Sequence, residues 1–125
     1  MTDAPLMSAG TARVGSAVVL TVDGEVDLYT APQLVDTVVA ALHQPGGGAP
    51  DGGPIEFVVA DLTGVAFLSS AGLGTLVALA TRLGDDGIGL RLVAGENKAV
   101  TRPWTAIHLG DLLRLYPDLP AAMDA

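Results

Sequence analysis

The sequence predicts a layered α/β domain, with three or four helices packed on a mixed, mostly parallel sheet of four or five strands. Short runs of β-branched and aliphatic residues alternate with segments whose apolar residues recur at helical spacing, the pattern of successive βα units. One run, Ile55 to Ala60, is apolar but for Glu56 and suits a central strand covered on both faces. The length of 125 residues matches a single core.

Residues 1–11 carry an acid at Asp3 and neither a basic nor a long apolar stretch. They read as a flexible lead-in rather than a secretion signal, and residues 12–125 as one domain. Ala17 to Val22 predicts a strand that stops at Asp23-Gly24, and Glu25-Val26-Asp27 a short second strand returning through a tight hairpin. Thr30 can cap a helix that starts near Ala31-Pro32, where the missing proline N–H does no harm. Leu34, Val35, Val38, Val39 and Leu42 form its buried stripe as far as about His43. Residues 44–54 are rich in glycine and proline and predict a flexible connector.

After the strand at Ile55–Ala60 and a short loop, a second helix is expected from about Ala71 to Leu83, burying Leu73, Leu76, Val77, Ala80 and Leu83. Gly84-Asp85-Asp86-Gly87 ends it. Gly89 to Ala94 is the next strand, and Asn97 caps a third helix over Lys98–His108 in which Pro103 is a kink point. Leu112–Leu115 predicts a last short strand and Pro117–Met123 a terminal helical turn or two.

Composition narrows the function. Half of the residues are apolar and the mean hydropathy is +0.49, which excludes a disordered chain. The net charge of -8 argues against binding to nucleic acid or to an anionic membrane surface, since both need a basic face. The charge is uneven: residues 1–70 hold eight acids and one base, Arg13, whereas residues 71–125 hold six acids and five bases. Such an acidic half is either a solvated face or the side that meets a basic partner. There is no cysteine, so disulfide, thiol-redox and thiolate-metal chemistry are excluded. These features predict a soluble, cytoplasmic, mainly monomeric domain.

Residues 62–81 contain no charge over a length that could span a membrane, but Gly64, Ser69, Ser70, Gly72 and Gly74 fit a turn leading into an amphipathic helix better. The glycines of the 44–54 segment lack the spacing and the lysine of a phosphate-binding loop and precede a strand. His43 and His108 belong to no metal-ligand pattern, and Leu68-Ser-Ser-Ala-Gly72 is not the elbow of a serine hydrolase. No catalytic residue, cofactor or metal is therefore assigned, and the chain is not expected to be an enzyme.

The segment Asp61-Leu-Thr-Gly-Val-Ala-Phe-Leu-Ser-Ser-Ala-Gly-Leu-Gly74 places two serines where a helix begins. Serine there serves as a cap, or as a phosphorylation site whose product meets the positive end of the helix dipole. This segment resembles the signature of STAS domains, specifically bacterial anti-sigma factor antagonists, which reads roughly D-L-S-x-V-x-F-[ILM]-D-S-[ST]-G-L-G. A second block of that family is similar to Gly24-Glu-Val-Asp27 with Thr30-Ala31.

The resemblance implies a STAS-type fold and a protein that binds an anti-sigma factor, often an ATP-dependent serine kinase, thereby releasing a sigma factor. It implies phosphorylation at Ser70, with Ser69 the alternate, and a phosphatase that resets the switch. Asp27, Thr30, Ser69, Ser70, Gly72 and Leu73 are the implied partner-binding residues, with the N–H groups of Gly72 and Leu73 available to phosphate oxygens. Ser69 stands where many members have Asp, and Ala71 where Ser or Thr is common. The other assignment compatible with the fold is an accessory subunit of an ABC-type lipid-transport assembly.

Overall fold

A computed structural model describes residues 6–43, 53–106 and 113–125. Five strands form one sheet in the order β1 (Met7–Val14), β2 (Ala17–Val26), β3 (Phe57–Leu68), β4 (Gly89–Val93) and β5 (Arg114–Tyr116). β1 runs antiparallel to β2, and β2 to β5 are mutually parallel. The helices are α1 (Ala31–Leu42), α2 (Ser70–Asp85), α3 (Lys98–Ala106) and α4 (Leu119–Asp124). The mixed, mostly parallel α/β architecture is the one the sequence predicts.

Strand alternation sorts the side chains into two cores. Val18, Leu20 and Val22 of β2 and Val58, Ala60 and Leu62 of β3 face α1, α2 and α3, meeting Leu34, Val38, Leu73, Leu76 and Val100. Ala17, Phe57, Val59 and Val93 point to the reverse face, where Ala122 of α4 and the neighbouring Tyr116, Leu119 and Met123 cover them. Arg91 holds α4 there by donating to the Ala122 carbonyl at 2.8 Å while its guanidinium lies 3.7 Å above the Phe57 ring. Residues 57–60 are thus buried on both faces, as the apolar run predicts.

Three expectations need correction. Residues 7–11 are not a flexible lead-in but most of β1, because Met7 is 2% exposed against the α1 side of the sheet and the backbone pairs with β2 from Val14↔Ala17 to Met7↔Gly24. The alternation there is weak because Ala, Gly and Thr fill the strand, which hides it from a periodicity reading. The hairpin is also misplaced. The chain turns at Gly15-Ser16, where Gly15 takes φ +58, a left-handed value that suits glycine. β2 then runs straight through Asp23-Gly24, accommodating Gly24 at φ +94 and irregular register against β3.

The third correction is the loop expected after Asp61. β3 instead continues to Leu68, with Leu62, Val65 and Leu68 turned into the core. β4 ends opposite Asp61, so the carbonyls beyond that point lose their strand partner on one side. The Asn97 carboxamide replaces it, donating to the carbonyls of Leu62 at 3.0 Å, Thr63 at 3.3 Å and Val65 at 2.7 Å. Its Oδ1 accepts the Ala99 N–H at 3.0 Å, so Asn97 also caps α3 as expected. Gly64, opposite Asp23 in the β2–β3 register, leaves room for the Asp23 carboxylate, which would have to turn aside for a Cβ there.

Smaller shifts follow from packing. α1 buries Ala41 rather than Leu42, and α2 buries Leu79 while Val77 and Ala80 are half-buried. α4 begins at Leu119 with Asp118 as its cap, accepting the Ala121 N–H at 2.8 Å. The expected flexible connector lies, over residues 44–52, outside the described residues, as do residues 107–112 of the expected third helix and last strand.

If β1 is an integral strand, truncating its anchor creates a core cavity. Met7→Ala should cost about 3 kcal/mol in urea denaturation with the slope unchanged. A loss below about 0.5 kcal/mol would return residues 7–11 to the status of a lead-in.

Candidate functional site

Two loops meet where β2 and β3 end. They are joined by the Ser69 N–H, which donates to the Val26 carbonyl at 3.0 Å. β2 leads into the loop Asp27–Thr30, and β3 leads through Ser69 into α2. Both strands run on past the end of β4, since β4 stops opposite Asp61 and β3 continues to Leu68. The site therefore projects beyond the rest of the sheet.

Asp27 organises the first loop. One of its carboxylate oxygens accepts the N–H of Tyr29 at 2.9 Å and of Thr30 at 3.0 Å. The Thr30 backbone N–H, against a smaller opposing effect of desolvation and aided by the Tyr29 N–H and the Thr30 hydroxyl, holds the Asp27 carboxyl below the ordinary carboxylate range. Thr30 was expected to cap α1 through its side chain and does not. It sits at the N-cap position with helical backbone (φ -94, ψ -26), and its hydroxyl is committed to the loop. That hydroxyl donates to the Glu25 carbonyl at 2.8 Å and accepts the Asp27 N–H at 2.9 Å. Thr30 is 8% exposed, so it supports the loop from within.

The second loop separates the two serines. Ser69 is extended (φ -80, ψ 167) and is the N-cap of α2, its Oγ accepting the Gly72 N–H at 3.0 Å. The Leu73 N–H donates to the Ser69 carbonyl at 2.9 Å. The two N–H groups expected to be open to a phosphate are therefore already used. Ser70, the first residue of α2, is exposed, and its side chain has no hydrogen bond among the described residues.

Gly72 and Leu73 lie inside. A Cβ on Gly72 would stand 2.5 Å from the Val26 carbonyl oxygen and 3.0 Å from Val26 Cγ1, so glycine lets the first turn of α2 press against the end of β2. Leu73 is 1% exposed in the main core and has no surface to offer a partner. Of the six residues expected at the interface, Ser70 is exposed, Asp27 and Ser69 are half-buried, and Thr30, Gly72 and Leu73 are buried supports.

Three residues absent from the expected partner-binding set are prominent at the same end. Leu28 is 66% exposed, Tyr29 86% and Phe67 51%. Leu28 and Tyr29 stand on the Asp27 loop, and Phe67 pairs with Glu25 in the β2–β3 register three residues before Ser70. The available signal was scarcity. With two Phe, two Tyr and one Trp in the whole chain, an aromatic belonging to no helical stripe or strand core is notable.

Among the described residues, no group of three or more His, Cys, Asp or Glu side chains converges as a metal centre would require. No described helix is long and apolar enough to cross a membrane. A cavity of about 190 Å³ lined in part by Val39, His43, Arg82 and Asp86 lies at the far ends of α1 and α2, away from Ser70.

The fold and this site define a class of small α/β module with an exposed serine opening the helix after its central strand. The STAS domain family model matches residues 9–122, and the chain belongs to that family. Its fold is shared with an anti-sigma factor antagonist from Mycobacterium paratuberculosis at 30% identity, covering 98% of this chain and 97% of that one, with a TM-score of 0.78. The Thermotoga maritima protein TM1081 is similar at 20% identity, 93% and 92% coverage and a TM-score of 0.75. The unphosphorylated anti-sigma factor antagonist SpoIIAA, from Bacillus, is similar at 18% identity, 94% coverage of both chains and a TM-score of 0.69. The last two likenesses are of fold. No curated protein sequence matches significantly.

The division of labour between the serines is measurable. Ser69→Ala should destabilise the protein by about 1 kcal/mol through loss of the cap, while Ser70→Ala should stay within about 0.5 kcal/mol of the parent. Equal losses in thermal or urea denaturation would contradict the assignment.

A second expectation follows from Asp27. Because its folded-state pKa is lowered, its contribution is present at neutral pH and is lost as the pH falls through the carboxylate range, below about pH 4. The stability gap between the parent and Asp27→Asn should therefore be wider at pH 7 than at pH 3, as read by urea midpoints. A gap that widens on acidification would have the wrong sign.

Proposed function

We propose that this chain is an anti-sigma factor antagonist, working in the cytoplasm where sigma factors act. In the unphosphorylated form, the end of the sheet that carries Ser70 binds an anti-sigma factor that is also an ATP-dependent serine kinase, and the sigma factor is released. Phosphate on Ser70 breaks the complex, and a phosphatase restores it. The observation that carries this reading is the contrast between the serines: Ser70 is exposed and uncommitted, whereas Ser69 holds the helix cap.

The likeness to the Mycobacterium paratuberculosis antagonist over nearly the whole chain supports it. So does the occurrence of the Bacillus neighbour SpoIIAA in a phosphorylated form. The switch itself is electrostatic. A phosphate adds about -1.5 to -2 charges to an end of the sheet that already bears Asp23, Glu25 and Asp27. Burying that added charge against a partner costs far more than it returns unless a new cation meets it. The role asks the chain to bind and release, and no chemical step is assigned to it.

Given ATP and the anti-sigma kinase encoded in the same genome, mass spectrometry should place the phosphate on Ser70. In calorimetry Ser70→Asp should weaken kinase binding by about 30-fold or more, and Ser70→Ala by no more than a few-fold. Phosphate confined to Ser69, or equal affinities for the two variants, would overturn the switch.

A further inference from the structure

Five large hydrophobic side chains are exposed among the described residues, namely Leu6, Val14, Leu28, Tyr29 and Phe67. Leu28, Tyr29 and Phe67 stand where β2 and β3 end, with Leu6 beside them across β2, its carbonyl accepting the Glu25 N–H at 2.7 Å. These include both exposed aromatics, since Phe57 and Trp104 are buried and Tyr116 is half-buried. Exposing an aromatic costs the burial it would otherwise gain, and this chain has few to spare. Tyr29, at 86% exposure, is not there to complete the fold. Its backbone N–H is nevertheless fixed by Asp27, so the side chain is displayed from an ordered turn rather than a slack loop. An ordered, exposed aromatic suits an interface anchor, because little freedom remains to be lost on binding.

The charge along β2 and the loop that follows it has one sign. Asp23 is exposed on β2, Glu25 pairs in register with Phe67, and Asp27 opens the loop. No lysine or arginine occurs between Arg13 and Arg82 in the sequence, so no neighbour along the chain neutralises them. An apolar centre with an acidic border calls for the complementary surface, an apolar pocket with a basic border.

We propose that Tyr29, with Leu28 and Phe67, forms the apolar anchor of the partner interface, and that the anti-sigma factor receives it in a hydrophobic pocket bordered by arginine or lysine. This rests on the antagonist reading above and adds to it the chemistry of the partner's surface. It divides the work of the site: the anchor supplies affinity, the acidic border supplies orientation and association rate, and Ser70 beside them is the point at which added charge opposes both.

The test is calorimetric titration of the anti-sigma kinase with the full chain and its variants, each first shown to melt with the parent. Tyr29→Ser should weaken binding by about 30-fold or more, and Leu28→Ser and Phe67→Ser each by about 5-fold or more. Val14→Ser, exposed at the opposite end of the β1–β2 pair, should stay within twofold. Glu25→Lys should weaken binding several-fold and flatten its salt dependence between 50 and 500 mM NaCl, whereas parent binding should weaken steadily over that range. If the anchor variants bind like the parent while Ser70→Asp does not, the anchor is overturned and the antagonist reading stands. If affinity falls for the anchor variants but is indifferent to salt and to Glu25→Lys, the basic border is overturned. Failure of the parent to bind the kinase overturns the antagonist reading, and the anchor with it.

Discussion

The Val26 carbonyl is the point on which the site depends. It accepts the Ser69 N–H, and the backbone of Gly72 passes so close to it that no side chain fits between. This contact sets the first turn of α2 against the end of β2, and with it the direction in which Ser70 faces. The geometry needs three residue types at fixed positions: glycine at 72 for the approach, a hydroxyl at 69 to satisfy the N–H that the helix start leaves open, and a leucine at 73 to drive the turn into the core. Ser70, by contrast, is exposed and its side chain makes no hydrogen bond among the described residues.

A long β3 makes the arrangement possible. Had the strand stopped at Asp61 with β4, the serines would lie within the sheet's edge rather than beyond it. Its extension leaves carbonyls without a strand partner, and Asn97, just beyond the end of β4, satisfies them with its carboxamide N–H groups while its Oδ1 caps α3. One polar side chain thus couples the projecting strand to the third helix. Buried polar groups joined in this way hold a single register, since slippage would strand the carbonyls without partners.

The same economy shapes the electrostatics. The acids of β2 and its following loop are tolerated because this end is bathed in solvent, and Asp27 is in addition useful, bonding two N–H groups of its own turn. The fold thereby places three acids, Asp23, Glu25 and Asp27, at the end of the sheet that carries Ser70.

The alternation of strands and helices, the doubly buried segment at 57–60, the α2 core stripe from Leu73 to Leu83 and the position of the two serines were all legible along the chain. Each depends on local periodicity or on a residue next to a helix start. The Asp61–Gly74 and Gly24–Asp27 blocks together pointed to the family, which the family model confirms over residues 9–122. Long-range partners decided the rest. β1 exists because its weakly patterned residues find β2, and β2 passes through Asp23-Gly24 because both of its neighbours continue to pair with it. Thr30, Gly72 and Leu73 turned from contacts into supports because burial is a property of packing, which no spacing reports. Tyr29 and Phe67 stand exposed for the same reason: hydrophobicity is written in the sequence, but whether a hydrophobic residue is covered is settled only when the elements meet.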